Sequence, residues 1–292
     1  MTFDRRAVSK ALSAIARASV DDVLAAAVGE RPRSARVIGI TGSPGVGKST
    51  LIGRLAQARL AQARSIAVVA IDPTSPRTEG SLLGDRVRMA ALSEDPRVYI
   101  RSLPSGSAED GLTDNLPEIV ALLDSFGFDE ILIETVGAGQ TAYGVRAIAD
   151  LELLVLAPGA GDYVQAMKAG IMETADLFVV NKAELPGADR VAGDLIGAAM
   201  RDGQPVPVVQ VRADAADGLA QLDALLTQHF AALAARGPQT GSARARNRYR
   251  VRALLLRRIQ ERLRLLPEET WDAPLVAAYD AAAAGLLPPR SR

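Results

Sequence analysis

One stretch limits what this chain can become: Gly42-Ser43-Pro44-Gly45-Val46-Gly47-Lys48-Ser49-Thr50. It fits G-x-x-x-x-G-K-[ST], a strand-to-helix loop whose backbone N–H groups cradle a polyphosphate. The glycines allow turns that a Cβ would block. Lys48 supplies a point charge for β- and γ-phosphates, and Ser49 a hydroxyl for Mg²⁺. The flanks agree with this reading. Arg36-Val37-Ile38-Gly39-Ile40-Thr41 reads as a buried strand, and Leu51-Ile52-Gly53-Arg54-Leu55-Ala56 as the start of a helix. A helix N-terminus favours anionic phosphate. The chain is therefore expected to bind a nucleoside triphosphate, with Gly45, Val46, Gly47, Lys48, Ser49 and Thr50 around the phosphates.

Further apolar strands are expected over 65–71, 98–100, 130–134, 151–156, 177–180 and 206–211, with helices over 4–29, 115–126 and 219–235. Strands that are apolar throughout, alternating with helices, point to a parallel sheet covered on both faces. The fold class is thus α/β: a P-loop NTPase with a mostly parallel sheet, an N-terminal helix and a C-terminal helical arm. With 292 residues and 48% hydrophobic content, the core can be sizeable. The expected division is an N-terminal helical segment over 1–34, a nucleotide-binding domain over 35–236 and a helical arm over 237–292.

In open α/β sheets the site lies beyond the carboxyl ends of the strands. Asp72, ending the second strand, therefore lands beside the phosphates. The polar segment 77–89, with Asp85, suits a loop that orders over a nucleotide. Glu130-Ile131-Leu132-Ile133-Glu134-Thr135-Val136-Gly137 delivers an acid at a strand end, then x-x-Gly. In that pattern Glu134 serves the Mg²⁺ shell and the Gly137 N–H senses the γ-phosphate. The tetrapeptide Asn181-Lys182-Ala183-Glu184 chooses the base. A carboxylate there pairs with guanine N1–H and N2–H₂, donors that adenine lacks. GTP is expected over ATP, although Glu184 is one methylene longer than the usual Asp.

Composition narrows the alternatives. Formal net charge is +0, so no global field draws the chain to nucleic acid or membrane. Cys is absent, which removes disulfides, thiolate metal sites and Cys nucleophiles. With His229 the only histidine, delivery of nickel or zinc lacks its ligands. His229 itself reads as a surface or capping residue of a helix. Arg5, Arg6, Lys10 and Arg17 are spread through the first twenty residues, unlike a secretory signal, and no apolar run is long enough to span a bilayer. A cytoplasmic protein is expected. Residues 244–264 are Arg-rich, with Val251, Leu255, Ile259, Leu263 and Leu266 on one stripe. Such a helix could contact RNA or membrane. The preferred reading packs the stripe on a neighbouring subunit while the Arg face pairs with carboxylates.

Several blocks together resemble the MeaB/ArgK-type P-loop GTPases, the G-protein chaperones of adenosylcobalamin-dependent acyl-CoA mutases. They are 42–50, Ile71-Asp72-Pro73-Thr74-Ser75, Gly80 to Arg86, Glu134 to Gln140, Pro158-Gly159-Ala160-Gly161-Asp162 and Gly170 through Glu184. The resemblance implies that Lys48, Ser49, Asp72, Asp85 and Glu134 surround the phosphates and Mg²⁺. It implies that Asn181, Lys182 and Glu184, with Ala213, hold guanine as GTP or GDP. Asp162, Gln165 and Lys168 match a switch segment that relays nucleotide state to the mutase. Family members are homodimers joined largely through C-terminal helices, which gives the 251–266 stripe a role. Arg212-Ala213 stands where the family usually has Ser-Ala, and Thr141-Ala142 where Ser-Glu is common. The implied activity is slow GTP hydrolysis that gates a mutase, with no nucleic-acid or membrane partner. The rival readings are a kinase of a transport-system protein and a nucleic-acid-binding NTPase.

Overall fold

The computed structural model describes residues 3–26, 33–63, 65–72, 90–106, 111–135, 141–159, 171–173, 175–198, 200–201, 204–213, 215–236 and 240–286. Its strands are β1 Arg36–Thr41, β2 Ile66–Asp72, β3 Val98–Pro104, β4 Glu130–Glu134, β5 Leu151–Leu156, β6 Leu177–Asn181, β7 Met200–Arg201, β8 Gln204–Pro205 and β9 Val208–Val211. Seven of them form one sheet in the order β3-β2-β4-β1-β5-β6-β9, and every pairing in it is parallel. The short β7 and β8 pair antiparallel as a separate ribbon. The expected parallel sheet is present, and β1 sits at its centre with β4 and β5 as neighbours.

The strands are apolar on both sides because both sides are covered. Along β1, Ile38 and Ile40 enter one core while Val37 enters the other. Helices α3 (Lys48–Arg59) and α8 (Asp217–Arg236) close the first face. Leu51, Ile52 and Leu55 meet Leu222, Leu226 and Phe230 there, the last three at the i, i+4, i+8 spacing of one helical stripe. The second face carries α1 (Arg5–Arg17), α5 (Leu116–Ser125) and α6 (Thr141–Ile148). Val8 and Leu12 of α1 are fully buried against this face, together with Tyr99, Ile119 and Phe128. Burial of such a side chain contributes about 1.5–3 kcal/mol, so α1 is anchored to the sheet. Beyond β5 and β6, α7 (Ala188–Ala198) adds Ala188, Ala192 and Leu195 against Leu154, Phe178 and Val180.

The single helix expected over 4–29 is two helices. The chain leaves α1 at Ala18, which is extended at ψ 138°, and α2 runs Val20–Ala26. Ser19 and Asp22 form a reciprocal cap: Ser19 Oγ and N–H donate to Asp22 Oδ2 at 2.6 and 3.0 Å, and the Asp22 N–H returns to Ser19 Oγ at 3.2 Å. The Ser19 hydroxyl, then its N–H, hold the Asp22 carboxyl below its ordinary pKa. This cap is thus present at neutral pH and weakens as pH falls through the lowered value. Apolar spacing reads through such a break because both halves keep the helical period. Leu24, within the expected helix, is exposed.

The break is used. Asn115, in the left-handed region at φ 59°, donates through Nδ2 to Ile15 O at 2.7 Å and Ala18 O at 3.1 Å. Arg257 of α9 (Thr240–Leu263) donates to Asn115 Oδ1 and to Ala18 O. Also from α9, Arg250 donates to Glu118 at 2.6 Å and Arg258 pairs with Asp21. Val251, Leu255 and Ile259 of the same helix are exposed. After α9 the Ala-rich stretch forms a further helix, α10 (Leu275–Leu286), inside the segment expected to be helical. No helix among the described residues is long and apolar enough to cross a membrane.

The base of α3 is tied down by a buried ion pair. Arg59 and Glu130 are 0% and 1% exposed, and Arg59 Nε donates to Glu130 Oε2 at 2.9 Å. Arg59 Nη1 reaches Asp223 Oδ1 and Thr227 Oγ1 of α8, both at 2.9 Å. Burial works against the guanidinium charge, but Glu130 and then Asp223 outweigh it and raise the Arg59 pKa. Removing one partner leaves the other charge buried, so Arg59→Ala should lower unfolding free energy by about 3–5 kcal/mol. Urea denaturation measures this. Arg59→Met with Glu130→Leu should recover most of the loss, because an apolar pair of similar volume strands no charge.

Candidate nucleotide-binding site

A parallel sheet puts every strand's carboxyl end at one edge. The strand order therefore lays out the site residues along that edge. Asp72 ends β2, Glu134 ends β4, the P-loop leaves β1 at the centre, Asn181 ends β6, and Arg212-Ala213 follows β9. Acids stand on one flank of the P-loop and the Asn181-Lys182-Ala183-Glu184 segment on the other.

At the centre, α3 begins at Lys48, with Gly47 before it in the left-handed region at φ 91°. A Cβ on Gly47 would lie 2.6 Å from Asn181 Nδ2, and one on Gly42 would lie 2.3 Å from Val155 O. The loop is thus pressed against β5 on one side and the base segment on the other. Lys48 is buried, and its Nζ donates to Gly42 O at 2.7 Å and Ser43 O at 3.1 Å. Gly45 and Thr50 are exposed, while Val46 packs in the core below the loop.

On the acid flank, Ser49 Oγ donates to Glu134 Oε1 at 2.8 Å. Glu134 lies in register with Ala70 on the neighbouring strand, so Asp72 stands two residues further along the same edge. All three side chains are buried. The Thr135 N–H donates to Ile40 O at 3.1 Å, which fixes the chain leaving β4 against β1. A hydroxyl and two carboxylates are hard oxygen donors of the kind Mg²⁺ takes. Among the described residues no group of three or more His, Cys, Asp or Glu could enclose a metal by itself. Mg²⁺ commonly keeps one or two protein ligands and fills its shell with phosphate and water.

On the other flank, Asn181 Nδ2 donates to Val46 O at 2.8 Å and Lys182 Nζ to Gly45 O at 2.7 Å. The Ala183 N–H donates to Val211 O at 3.1 Å, and Glu184 Oε2 accepts from the Ala213 N–H at 3.1 Å. The four residues are clamped between the P-loop and the turn after β9. Asp85, Gly137, Asp162, Gln165 and Lys168 lie outside the described residues.

Two residues join this picture without having been singled out in the sequence. Glu152 of β5 is fully buried and accepts from Thr41 Oγ1 at 3.2 Å, beneath the P-loop. Its signal was an acid inside the apolar run Leu151-Glu152-Leu153. Arg54, on α3, donates to Arg212 O at 2.7 Å and Ala215 O at 2.8 Å. One arginine among many left no local signal. His229 stays away from the site: its Nε2 lies 3.4 Å from Asp150 O at the amino end of β5, with the ring edge-on to Phe230.

The P-loop, the buried Ser49, Glu134 and Asp72, and the clamped Asn181-Lys182-Ala183-Glu184 segment now stand in line along one edge. The family model described as methylmalonyl Co-A mutase-associated GTPase MeaB matches residues 6–268. The chain belongs to the MeaB family. The match takes in the whole sheet, both flanks and α9. A probable GTPase of Mycobacterium bovis is 41% identical over 212 residues, covering 70% of this chain and 63% of that one. A mitochondrial methylmalonic aciduria type A homolog of Caenorhabditis briggsae is 47% identical over 146 residues, covering 50% and 35%. A crystal structure of a LAO/AO transport system kinase superposes with TM-score 0.65 at 23% identity, covering 98% of this chain and 90% of that one, a likeness of fold alone. The chain spans less than two thirds of the length of these curated relatives.

The Gly47 geometry is directly testable. Gly47→Ala combines a left-handed backbone with a Cβ aimed at Asn181, a conformation that costs a non-glycine residue about 1–3 kcal/mol. Thermal or urea unfolding should show a loss of that size. A variant as stable as the wild type would mean that the loop adapts freely.

Proposed function

We propose that this member of the MeaB family binds and hydrolyses GTP, and that it gates the loading and protection of cofactor in an adenosylcobalamin-dependent acyl-CoA mutase of the methylmalonyl-CoA type. The observation that carries the reading is the clamp of Asn181, Lys182 and Glu184 onto the P-loop carbonyls of Val46 and Gly45 and the Ala213 amide, in a chain of this family.

Phosphoryl transfer to water depends on positioning and charge stabilisation more than on covalent chemistry. Lys48 carries the fixed positive charge. Turning from the Gly42 and Ser43 carbonyls toward a bound nucleotide places it on the β- and γ-phosphates. The first amides of α3 point at the same anion. Ser49, Asp72, Asp85 and Glu134 would hold Mg²⁺, which when bound neutralises charge on the phosphate oxygens. The Gly137 N–H reads the γ-phosphate. On the base, the Glu184 carboxylate accepts from guanine N1–H and N2–H₂, and the Lys182 stem lies along the ring.

Intrinsic turnover is slow in this reading, and the mutase completes the site. Asp162, Gln165 and Lys168 form the relay to it. The organisation is an N-terminal segment over 1–34, a GTPase domain over 35–236 and an arm over 237–292 that joins a homodimer. The exposed Val251, Leu255 and Ile259 support that role for the arm. A cytoplasmic location is part of the proposal.

Phosphate release from GTP, measured alone and with the mutase, tests the activity. The wild type should release free phosphate slowly, the mutase should stimulate it, and Lys48→Ala should be silent while remaining folded. Label transferred from GTP to a protein would favour a kinase, and unchanged turnover in Lys48→Ala would remove the P-loop from the chemistry. Base choice has its own check. Removing the Glu184 carboxylate strands two guanine donors, so Glu184→Ala should cost about 1.5–3 kcal/mol of GTP affinity, roughly ten- to hundredfold. In competition binding, ATP should compete poorly against the wild type. Equal affinity for the two nucleotides would show that the longer acid does not read the base.

A further inference from the structure

The base pocket has two walls, and they are held by different means. The Asn181-Lys182-Ala183-Glu184 wall is bonded to the P-loop through side chains of its own. The turn after β9 is held through backbone groups: the Ala213 N–H on Glu184 Oε2 at 3.1 Å, and the Arg212 and Ala215 carbonyls on Arg54 at 2.7 and 2.8 Å. Just before it, Val211 O accepts from the Ala183 N–H at 3.1 Å.

The Glu184 bond and the guanine bonds compete for the same atom. A carboxylate that pairs with both guanine N1–H and N2–H₂ uses both oxygens toward the base, and Oε2 is then turned from the Ala213 N–H. The freed N–H faces a base whose O6 is an acceptor. Its position at that moment depends on the bonds that still hold the turn, those from Arg54 among them. Arg54 grips it from both ends with a planar fork of N–H donors, and such charge-assisted bonds are stronger than neutral ones. The fork also comes from α3, the helix whose first turn carries Lys48 and Ser49.

We propose that Arg54 is the positioning residue of the base pocket: it fixes the 212–215 turn to the P-loop helix so that the Ala213 N–H keeps its place when Glu184 turns to guanine. Because Arg54 bonds carbonyls, its effect is independent of which side chains the turn carries. The inference rests on the guanine reading above.

The test compares wild type, Arg54→Ala and Arg54→Lys by calorimetry with GDP and with ADP, and by GTP turnover. Arg54→Ala should weaken GDP about tenfold, the size of one lost charged hydrogen bond. ADP affinity should change little, so the GDP-to-ADP preference falls by the same factor. KM for GTP should rise with kcat kept, since the phosphates and their ligands are untouched. Arg54→Lys, which can reach one carbonyl but not both, should fall between. An unchanged GDP-to-ADP ratio in a folded Arg54→Ala overturns the proposal, as does an equal loss for both nucleotides or a fall in kcat at constant KM. Should Arg54→Ala not fold, Arg54→Lys decides: a wild-type ratio in it overturns the proposal, and an intermediate one supports it. A wild type that binds GDP and ADP alike overturns the guanine reading itself, and this inference with it, which is a distinct result from a selective wild type with an equally selective variant.

Discussion

The parallel pairing of β1 with both β4 and β5 is the constraint on which the rest depends. It aims three strand ends at one point and leaves the P-loop between an acid flank and a base flank. An antiparallel neighbour would send Glu134 or the β5–β6 side to the opposite edge. Parallel pairing in turn requires covered faces, since each crossover must return the chain to the same starting edge. The mainly apolar β2, β4 and β5 meet that requirement, with Asp72 and Glu134 at the carboxyl ends of β2 and β4 and each remaining acid, Glu130 and Glu152, buried and hydrogen-bonded. Function is therefore concentrated at the strand termini by the same physics that buries the strands.

The P-loop is more than a cradle for phosphate. Its carbonyls at Gly45 and Val46 receive Lys182 and Asn181, its Ser49 hydroxyl meets Glu134, and its helix sends Arg54 to the turn after β9. Lys48, the Ser49–Glu134 pair and the Asn181-Lys182 segment are thus measured from one short segment. Small side chains at Gly42 and Gly47 make this possible, because a Cβ at either would collide with a neighbouring strand or with Asn181. At the far end of the same helix, the buried Arg59–Glu130 pair fixes α3 against β4, the strand that delivers Glu134.

A second junction lies on the opposite face of the sheet. The broken N-terminal helix, the Asn115 side chain and Arg257 of α9 meet at the carbonyls of Ile15 and Ala18. The segment that carries Asn115 is bonded back to the acid flank: the Ser105 N–H donates to Asp72 O at 2.7 Å and the Gly106 N–H to Leu112 O at 2.8 Å. The helical arm is therefore linked indirectly, through Asn115 and the 105–112 bonds, to the end of β2. The ties are short backbone or charged bonds, and the arm's apolar residues Val251, Leu255 and Ile259 are left facing outward.

The sequence by itself determined the sheet class, the P-loop, the acids at the ends of β2 and β4, and the Asn181-Lys182-Ala183-Glu184 segment after β6. These are local signals: runs of apolar residues, fixed glycine and lysine spacings, and an acid directly after a buried strand. It also carried enough to place the chain near its family. Its long N-terminal helix was wrong because a helical period survives a break, and the Ser19–Asp22 cap that makes the break is a weaker signal than the stripe it interrupts. Only the tertiary structure decided the strand order, and hence which acid neighbours the P-loop. It alone revealed the burial of Glu152 beneath the loop, the seating of Asn115 and Arg257 on the broken helix, and the grip of Arg54 on the turn after β9. Those contacts join residues from about 100 to over 230 positions apart. An arginine that bonds two backbone carbonyls leaves no pattern in its own neighbourhood, because its partners are defined by where the chain returns and not by which side chains it carries.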